Sequence, residues 1–188
     1  MRIIAGEWRR RTLRAPAGEA TRPTADRTRE TLFSILASRL GAFEGLSVAD
    51  LFAGSGALGL EALSRGAADC LFVEQEAAAL RALRANIAAL HAQPRCHVQA
   101  ASVLQLGPAK VARDLILLDP PYRSGAGAVA LDRLARLGWI GPATWVALET
   151  ARDEEVRVRA LVVETERTVG AARITLLRSP PAAAPNDS

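Results

Sequence analysis

Residues 50–59 read Asp-Leu-Phe-Ala-Gly-Ser-Gly-Ala-Leu-Gly, and this stretch decides the fold. An apolar run over 46–52, broken only by Asp50, precedes it, and a run typical of a helix over 57–65 follows. The pattern predicts a strand, a tight loop and a helix, with glycines at 54, 56 and 59 in G-x-G-x-x-G spacing. Gly59 would let the helix pack on the strand. The sequence therefore predicts a nucleotide-type site, contacted by Phe52, Ala53, Gly54, Ser55 and Gly56.

Two carboxylates decide which nucleotide this loop suits. Glu74 ends the next apolar strand, over 70–74, where nucleotide-binding folds place the acid that holds ribose hydroxyls. Asp50, beside the glycine loop, would repel a diphosphate at close range. It would instead suit a ligand with an ammonium and a sulfonium, which favours S-adenosylmethionine (SAM) over NAD. The plainer alternative is a surface Asp50 on a structural turn.

A second motif, Asp119-Pro120-Pro121-Tyr122, follows the apolar strand predicted over 114–118. Open α/β sheets bind ligands at the carboxyl ends of such strands. The two prolines stiffen the loop and remove two donors, so that it offers acceptors and an aromatic ring. This combination suits a planar base whose exocyclic amine is held by Asp119 and the Pro120 carbonyl while Tyr122 stacks on the ring. Alternatively, the prolines only turn the chain.

The composition is that of an ordinary globular protein of about one domain. The chain has 188 residues, of which 49% are hydrophobic and 23% charged. We expect no membrane span, because no apolar run approaches about 20 residues, and the N-terminus does not resemble a secretory signal. The two cysteines, Cys70 and Cys96, lie in strand-like runs and are too few for a disulfide framework or a metal site. We expect them to be buried thiols in a reducing cytoplasm.

Positive charge is concentrated at the N-terminus. Residues 1–30 contain eight arginines and four acids, an excess equal to the net charge of +4 for the whole chain. Such a concentration predicts a polyanionic partner. We expect Arg9, Arg10 and Arg11 to contact it, whereas the neighbouring Trp8 fits RNA contact and hairpin packing equally well.

Strand and helix patterns alternate from residue 46 onward, which predicts an α/β fold. We expect strands at 46–52, 70–74, 97–103, 114–118 and 144–150, then an antiparallel hairpin from 156–165 and 172–177. The result is a Rossmann-like, mostly parallel seven-stranded sheet. N-terminal to the sheet, we expect residues 1–44 to form a basic β-hairpin followed by a helix capped by Thr24. Residues 45–178 form the main domain, and residues 179–188 predict a disordered tail.

The chain to about residue 178 resembles the RsmD family, bacterial methyltransferases that act on N2 of a guanine in 16S ribosomal RNA. The matching stretches are residues 1–6, the run Arg-Pro-Thr-Ala-Asp-Arg-Thr-Arg-Glu-Thr-Leu-Phe at 22–33, residues 50–67 and residues 119–122. The Asp-Pro-Pro-Tyr motif is shared with other amino-methylating enzymes. The run at 22–33 is much more specific to the family.

This resemblance implies a SAM-dependent methyltransferase of the guanine(966)-N(2) type. Its substrate would be 16S rRNA or a small-subunit assembly intermediate, and the protein a cytoplasmic monomer. Asp50 and the glycine loop would contact SAM, Glu74 the ribose, and residues 119–122 the guanine. Arg22 and Arg27 become RNA or active-site contacts. Arg29 is a further candidate of the same kind, but Arg27 and Arg29 cannot share a helix face. We expect Arg27 to point into the site, with a structural pair between Arg27 and Glu30 as the alternative. The chain departs from the family at 99–102, where only Ser102 remains to approach the adenine.

Two other functions remain open. One is methylation of another nucleic-acid amine, such as adenine N6 in DNA or RNA, although 188 residues leave little room for the target-recognition region of a DNA enzyme. The other is a non-catalytic RNA-binding factor for ribosome assembly. That function fits the basic N-terminus but does not explain why both motifs are intact.

Overall fold

A computed structural model describes residues 1–16 and 23–181. The helices are α1 (Pro23–Leu40), α2 (Ala57–Ser64), α3 (Ala77–Ala89) and α4 (Ala126–Arg136). The strands are β1 (Ser47–Leu51), β2 (Asp69–Glu74), β3 (Cys96–Ala100), β4 (Leu115–Leu118), β5 (Trp145–Ala151), β6 (Val162–Val169) and β7 (Ala172–Arg178). Among the described residues, no helix has the length and apolar character needed to cross a bilayer.

All seven strands form one sheet in the order β3-β2-β1-β4-β5-β7-β6. The first five strands along the chain are parallel, whereas β7 pairs antiparallel with both β5 and β6. The chain runs outward from β1 to β3 and then returns to place β4 on the other side of β1. Ligands of open α/β sheets bind at such a reversal, outside the carboxyl ends of the strands. This topology confirms the predicted α/β fold with its C-terminal hairpin.

The central strands are apolar because both faces of the sheet are covered. Every residue of β4 is buried, and the strand reads Leu-Ile-Leu-Leu. One hydrophobic cluster lies on the face covered by α1, α2 and α3 and includes Phe33 and Phe72. A second cluster lies on the opposite face and includes Leu131 and Leu134 of α4. The sheet is therefore a rigid platform on which the ends of β1, β2, β4 and β5 are fixed.

Several predicted boundaries are wrong. The first strand of the hairpin occupies Val162–Val169 rather than 156–165, because the tight turn at Gly170 sets its pairing with β7 from Val169↔Ala172 outward. The third strand ends at Ala100 rather than at 103. Helix α1 begins at Pro23, so the predicted cap Thr24 lies within its first turn. Residues 182–188 of the predicted tail lie outside the described residues.

The N-terminal segment forms the predicted hairpin, with a single bridge between Arg2 and Thr12, and docks on α2. The Glu61 carboxylate is fully buried and accepts the backbone N–H groups of Ile4 at 2.8 Å and Ala5 at 3.1 Å. The Ser64 hydroxyl accepts the N–H of Trp8 at 3.0 Å. These bonds join the hairpin to the helix that follows the glycine loop. The division at residues 44 and 45 stays a prediction.

Trp8 packs in the interior rather than facing solvent. Its side chain is 6% exposed and belongs to the same hydrophobic cluster as Phe33 and Phe72. The Arg95 guanidinium lies 4.7 Å from the centroid of the Trp8 ring. Of the two roles predicted for Trp8, the structure therefore supports hairpin packing.

Gly59 must lack a side chain for α2 to reach the sheet. A Cβ at this position would lie 2.4 Å from Cε1 of Phe72 and 2.6 Å from Sγ of Cys70. Both neighbours are fully buried and belong to β2, so they have little room to move. The packing role predicted for Gly59 is confirmed.

We predict that Gly59→Ala lowers the free energy of unfolding by at least about 1 kcal/mol, because overpacking outweighs the helix propensity gained from alanine. Urea unfolding measures the change. Gly107→Ala is the matched control, since a Cβ there meets nothing within 4 Å, and should alter stability by less than about 0.5 kcal/mol. Equal stability of Gly59→Ala and the parent protein would contradict this packing argument.

Candidate active site

A cleft of about 750 Å³ opens at the carboxyl ends of the parallel strands. It brings together most of the residues that the sequence singled out for the cofactor and for the base. These are Asp50, Phe52, Ala53, Gly54, Ser55, Glu74, Ser102, Asp119, Pro120, Pro121 and Tyr122. Two stretches nearly 70 residues apart in the chain therefore share one cavity.

Asp50 lies at the floor of this cleft and is 1% exposed. Its Oδ2 accepts the backbone N–H of Gly59 at 2.8 Å, which ties the end of β1 to α2. Burial raises the pKa of Asp50 to about 8, the Gly59 N–H lowers it, and nearby Glu74 raises it further. A cation placed beside Asp50 would favour the ionised carboxylate. The alternative of a surface Asp50 on a structural turn is therefore wrong.

Glu74 holds the glycine loop in place. Its Oε2 accepts the N–H of Gly54 at 2.8 Å, and its Oε1 accepts the N–H groups of Gln75 at 2.7 Å and Glu76 at 2.8 Å. A carboxylate has about four lone-pair positions, so these three donors leave room for one more. The carboxylate faces the cleft and is able to accept one hydroxyl there.

The loop between β1 and α2 adopts an unusual backbone conformation. Gly54 and Gly56 have φ of 56° and 81°, and Phe52 has φ of 61°, in a region that bulky residues rarely occupy. Such strain is commonly kept at binding sites. Gly56 does not line the cleft, because it faces the interior, where a Cβ would lie 2.4 Å from Cδ1 of Leu83. The missing side chain of Gly56 therefore lets the loop pack against Leu83 of α3, and Gly56 is not a cofactor contact through the cleft surface.

Tyr122 and Glu149 are joined at the other end of the cleft. The Tyr122 hydroxyl donates to Oε1 of Glu149 at 2.7 Å, and the Tyr122 side chain is 43% exposed. Burial raises the pKa of Glu149, while the Tyr122 hydrogen bond and the Arg29 charge lower it. Ser124 Oγ donates to the Pro121 carbonyl at 2.6 Å, which fixes the loop that follows the motif. Asp119 is exposed to the cleft.

Ser102 lies in the cleft but outside the strand that was predicted to contain it. It precedes a short 3-10 turn over Val103–Gln105, and its Oγ accepts the N–H of Leu104 at 3.3 Å. The neighbouring Ala101 N–H donates to the Glu74 carbonyl at 3.0 Å. Ser102 is therefore held close to Glu74 on the same wall.

Arg29, rather than Arg27, points into the cleft, so that prediction is wrong. Arg29 is 3% exposed and donates to the Arg2 carbonyl and to Asp26 Oδ1. The orientation of Arg29 was predictable from helical periodicity, because Arg29 lies four residues before Phe33 on the buried face of α1. Arg27 is exposed and lines a different hollow. Arg22 lies outside the described residues.

Three further contributors to the cleft were missed or left undecided. Met1 and Pro16 line it, and Asn86, buried in α3, anchors the segment between them. Asn86 exchanges two hydrogen bonds with the backbone of Arg14, at 2.8 and 2.9 Å, and donates to the Ser55 carbonyl at 3.0 Å. These partners are 31 and 72 residues away in the sequence, so no local pattern signals them. The N-terminal segment thus forms one wall of the site.

The N-terminal arginines divide into two groups. Arg9 and Arg10 are exposed and line a second hollow of about 550 Å³. Its lining consists of Arg2, Ile3, Ile4, Arg9, Arg10, Asp26, Arg27 and Glu30. Arg11 does not join them, because its guanidinium donates to the carbonyl of Ala89 at 2.6 Å, at the end of α3. We call the hollow lined by these eight residues the arginine hollow.

Comparison with known proteins places the chain in a family. The model of a family described as conserved hypothetical protein 95 matches residues 1–178. Ribosomal RNA small subunit methyltransferase D of Escherichia coli strain K12 is 38% identical over 150 residues, which span 80% of this chain and 74% of that protein. The Bacillus subtilis strain 168 protein YlbH is 31% identical over 184 residues, which span 95% of this chain and 98% of that protein.

Solved structures agree with this placement. The structure of the Escherichia coli protein yhhF matches with a TM-score of 0.81 and 33% identity, covering 95% of this chain and 97% of that one. The likeness confirms the Rossmann-like methyltransferase fold. The family match extends over both sequence motifs and over the N-terminal hairpin. The chain belongs to this family of conserved hypothetical protein 95, which is the RsmD family that its sequence resembles.

Proposed function

We propose that this protein transfers a methyl group from SAM to the exocyclic N2 amine of a guanine in 16S rRNA, as a guanine(966)-N(2) type enzyme. One observation carries the proposal. The Asp119–Tyr122 motif and the carboxylate-flanked glycine loop line the same cleft, so a base and a cofactor would meet there. A substrate amine beside Asp119 would lie within one cavity of the groups that suit SAM.

The residues present fit SAM better than they fit a dinucleotide. Asp50 and Glu74 place two carboxylates around the glycine loop, and together they disfavour a pyrophosphate and favour a cationic ligand. Glu74 keeps one lone-pair position for a ribose hydroxyl. Phe52, Ala53 and Leu58 supply apolar surface around them. Asp50, Glu74 and the backbone of the loop would therefore hold the cofactor, with Ser102 on the adenine side.

When bound, SAM supplies an electrophilic methyl group on its sulfonium. The chain itself needs to hold the amine, orient its lone pair and keep the base flat. Asp119 and the Pro120 carbonyl accept hydrogen bonds from the two amine N–H groups, which draws the nitrogen lone pair out of conjugation. The one proton that the amine loses on methylation would pass to Asp119, which is exposed, and from there to solvent. Tyr122 stacks on the ring, and its hydroxyl is fixed by Glu149. Rate enhancement then comes mainly from positioning and electrostatics.

The names of the relatives and the charge of the arginine hollow support the proposed substrate class. The Escherichia coli relative is named as a small-subunit rRNA methyltransferase, and the arginine hollow offers four arginines against two carboxylates. We therefore propose 16S rRNA, alone or in a small-subunit assembly intermediate, as the partner, and the cytoplasm as the location. We propose a monomer, since residues of one chain supply both the glycine-loop side and the Asp119–Tyr122 side of the cleft. Neither adenine N6 methylation nor a non-catalytic role is favoured by a specific contact.

The Asp119→Ala variant tests the proposed chemistry. Asp119 serves the amine rather than the cofactor, so the rate of methyl transfer should fall by at least about a hundredfold while the Kd for SAM changes less than about twofold. Single-turnover kinetics and calorimetry measure the two quantities. Glu164→Ala, an exposed glutamate on β6, is the control and should leave both unchanged. Parallel loss of SAM affinity and activity in Asp119→Ala would refute the assigned role.

Binding of SAM should release a proton from Asp50. Without ligand the Asp50 carboxyl is mostly protonated at pH 7, because its pKa is about 8, and a neighbouring cation would lower that pKa. The affinity for SAM should therefore rise with pH up to about 8 and then level off. Calorimetry in buffers of different ionisation enthalpy measures the released proton at pH 7.

The matched variant for this measurement is Asp50→Asn. Its amide oxygen keeps an acceptor for the Gly59 N–H but has no proton to release. It should bind SAM more weakly and without the Asp50 contribution to proton release. The same proton release in Asp50→Asn and in the parent would show that the buried carboxyl does not respond to the cofactor.

Arg9 and Arg10 should contribute salt-dependent RNA affinity. Phosphate contacts weaken as counterions are added, so Arg9→Ala with Arg10→Ala should reduce the slope of log K against log salt by about one to two. Arg11 is left intact, because it supports the end of α3. The exposed pair Arg157→Ala with Arg167→Ala is the control and should keep the parent slope. Identical slopes for all three proteins would exclude Arg9 and Arg10 as phosphate contacts.

A further inference from the structure

Glu149 lies beside the Asp119–Tyr122 motif on the neighbouring strand. β4 and β5 are parallel, and Leu118 lies opposite Leu148. The next residues along the two strands, Asp119 and Glu149, are therefore also neighbours across the sheet. Neighbouring strands are about 4.8 Å apart. Both residues line the cleft. Two carboxylates therefore border the space in which we propose that the target base lies.

The Glu149 carboxylate is held as an oriented acceptor. Tyr122 donates to Oε1 of Glu149, and a carboxylate has further lone pairs on both of its oxygens. Glu149 lies on the sheet face covered by α1, since its neighbour Ala147 packs there with Phe33. Arg29 of α1 supplies positive charge near it. The Glu149 carboxylate is thus held in a fixed orientation and keeps the capacity to accept a further hydrogen bond.

A second acceptor beside Asp119 matches the edge of a guanine. Guanine carries the N2 amine and the N1–H side by side, and both groups are donors. Adenine and 2-aminopurine carry an amine beside an N1 that is an acceptor. The Tyr122 hydrogen bond and the Arg29 charge favour the ionised form of Glu149 against the effect of burial, and an ionised carboxylate would face the N1 lone pair unfavourably. With the amine held by Asp119, a base oriented with its N1 edge toward β5 would place N1 beside Glu149.

We infer that Glu149 accepts the N1–H of the target guanine and thereby selects guanine over bases whose N1 is an acceptor. This inference rests on the proposed function and adds a specificity-determining residue to it. The motif Asp119–Tyr122 by itself recognises an exocyclic amine and does not distinguish guanine from adenine. Glu149 supplies the distinction because it reads the neighbouring ring atom.

The competing explanation is that Glu149 only positions Tyr122. Glu149→Gln separates the two roles. Its amide oxygen still accepts the Tyr122 hydroxyl, so a purely positioning role survives the change. Its amide NH₂ now faces the base, where it opposes the N1–H of guanine and suits the N1 lone pair of 2-aminopurine.

The test compares two substrates in reconstituted small subunits. One carries guanine at the methylated position, and the other carries 2-aminopurine, which keeps the exocyclic amine but lacks the N1–H. For the wild-type protein, kcat/KM should favour guanine by at least about tenfold. For Glu149→Gln the two values should converge to within about threefold. Glu164→Gln is the control and should keep the wild-type ratio.

Two results would overturn the inference while leaving the proposed function intact. They are equal kcat/KM values on the two bases for the wild-type protein, and a wild-type ratio in Glu149→Gln. The first needs no variant, so the inference stays testable even if Glu149→Gln does not fold. Absence of methyl transfer to guanine N2 by the wild-type protein would instead overturn the proposed function and this inference with it.

Discussion

The hydrogen bond from the Gly59 N–H to the buried Asp50 carboxylate organises the site. It closes the glycine loop by joining the end of β1 to the first turns of α2. It depends on Gly59, because a side chain there would push α2 away from Phe72 and Cys70. The bond also leaves one acidic group in the interior at the floor of the cleft. A positively charged ligand beside Asp50 would stabilise its ionised form, whereas a phosphate would destabilise it.

Glu61 extends this arrangement to the N-terminus. Its carboxylate is buried in α2, two residues beyond Gly59, and holds the backbone of Ile4 and Ala5 while pairing with Arg65 at 2.8 Å. Asn86 fixes the other end of the same segment. The hairpin therefore cannot move independently of the glycine loop. The arginine hollow is consequently held in a constant relation to the cleft, which a methyltransferase needs if phosphate contacts are to position a base.

Local patterns correctly predicted the platform and the placement of the two motifs at the ends of strands, because each depends on residues close in sequence. The glycine spacing and the apolar strands specify β1, β2, β4 and their loops, and the cleft forms where parallel strands end. The parts that sequence reasoning missed depend on distant partners. The bonds of Glu61 to the hairpin reach residues 56 and 57 positions away, and those of Asn86 reach residues 31 and 72 positions away. Arg29 is the exception, since its place on the face of Phe33 was available from periodicity alone.

The most direct test of the account is mass mapping of methylated nucleosides in 16S rRNA from cells that lack this gene. We expect N2-methylguanosine to disappear at a single position, and we expect the wild-type gene to restore it whereas a gene encoding Asp119→Ala does not. Unchanged 16S rRNA methylation, or loss of a methyl group from adenine N6 instead, would contradict it.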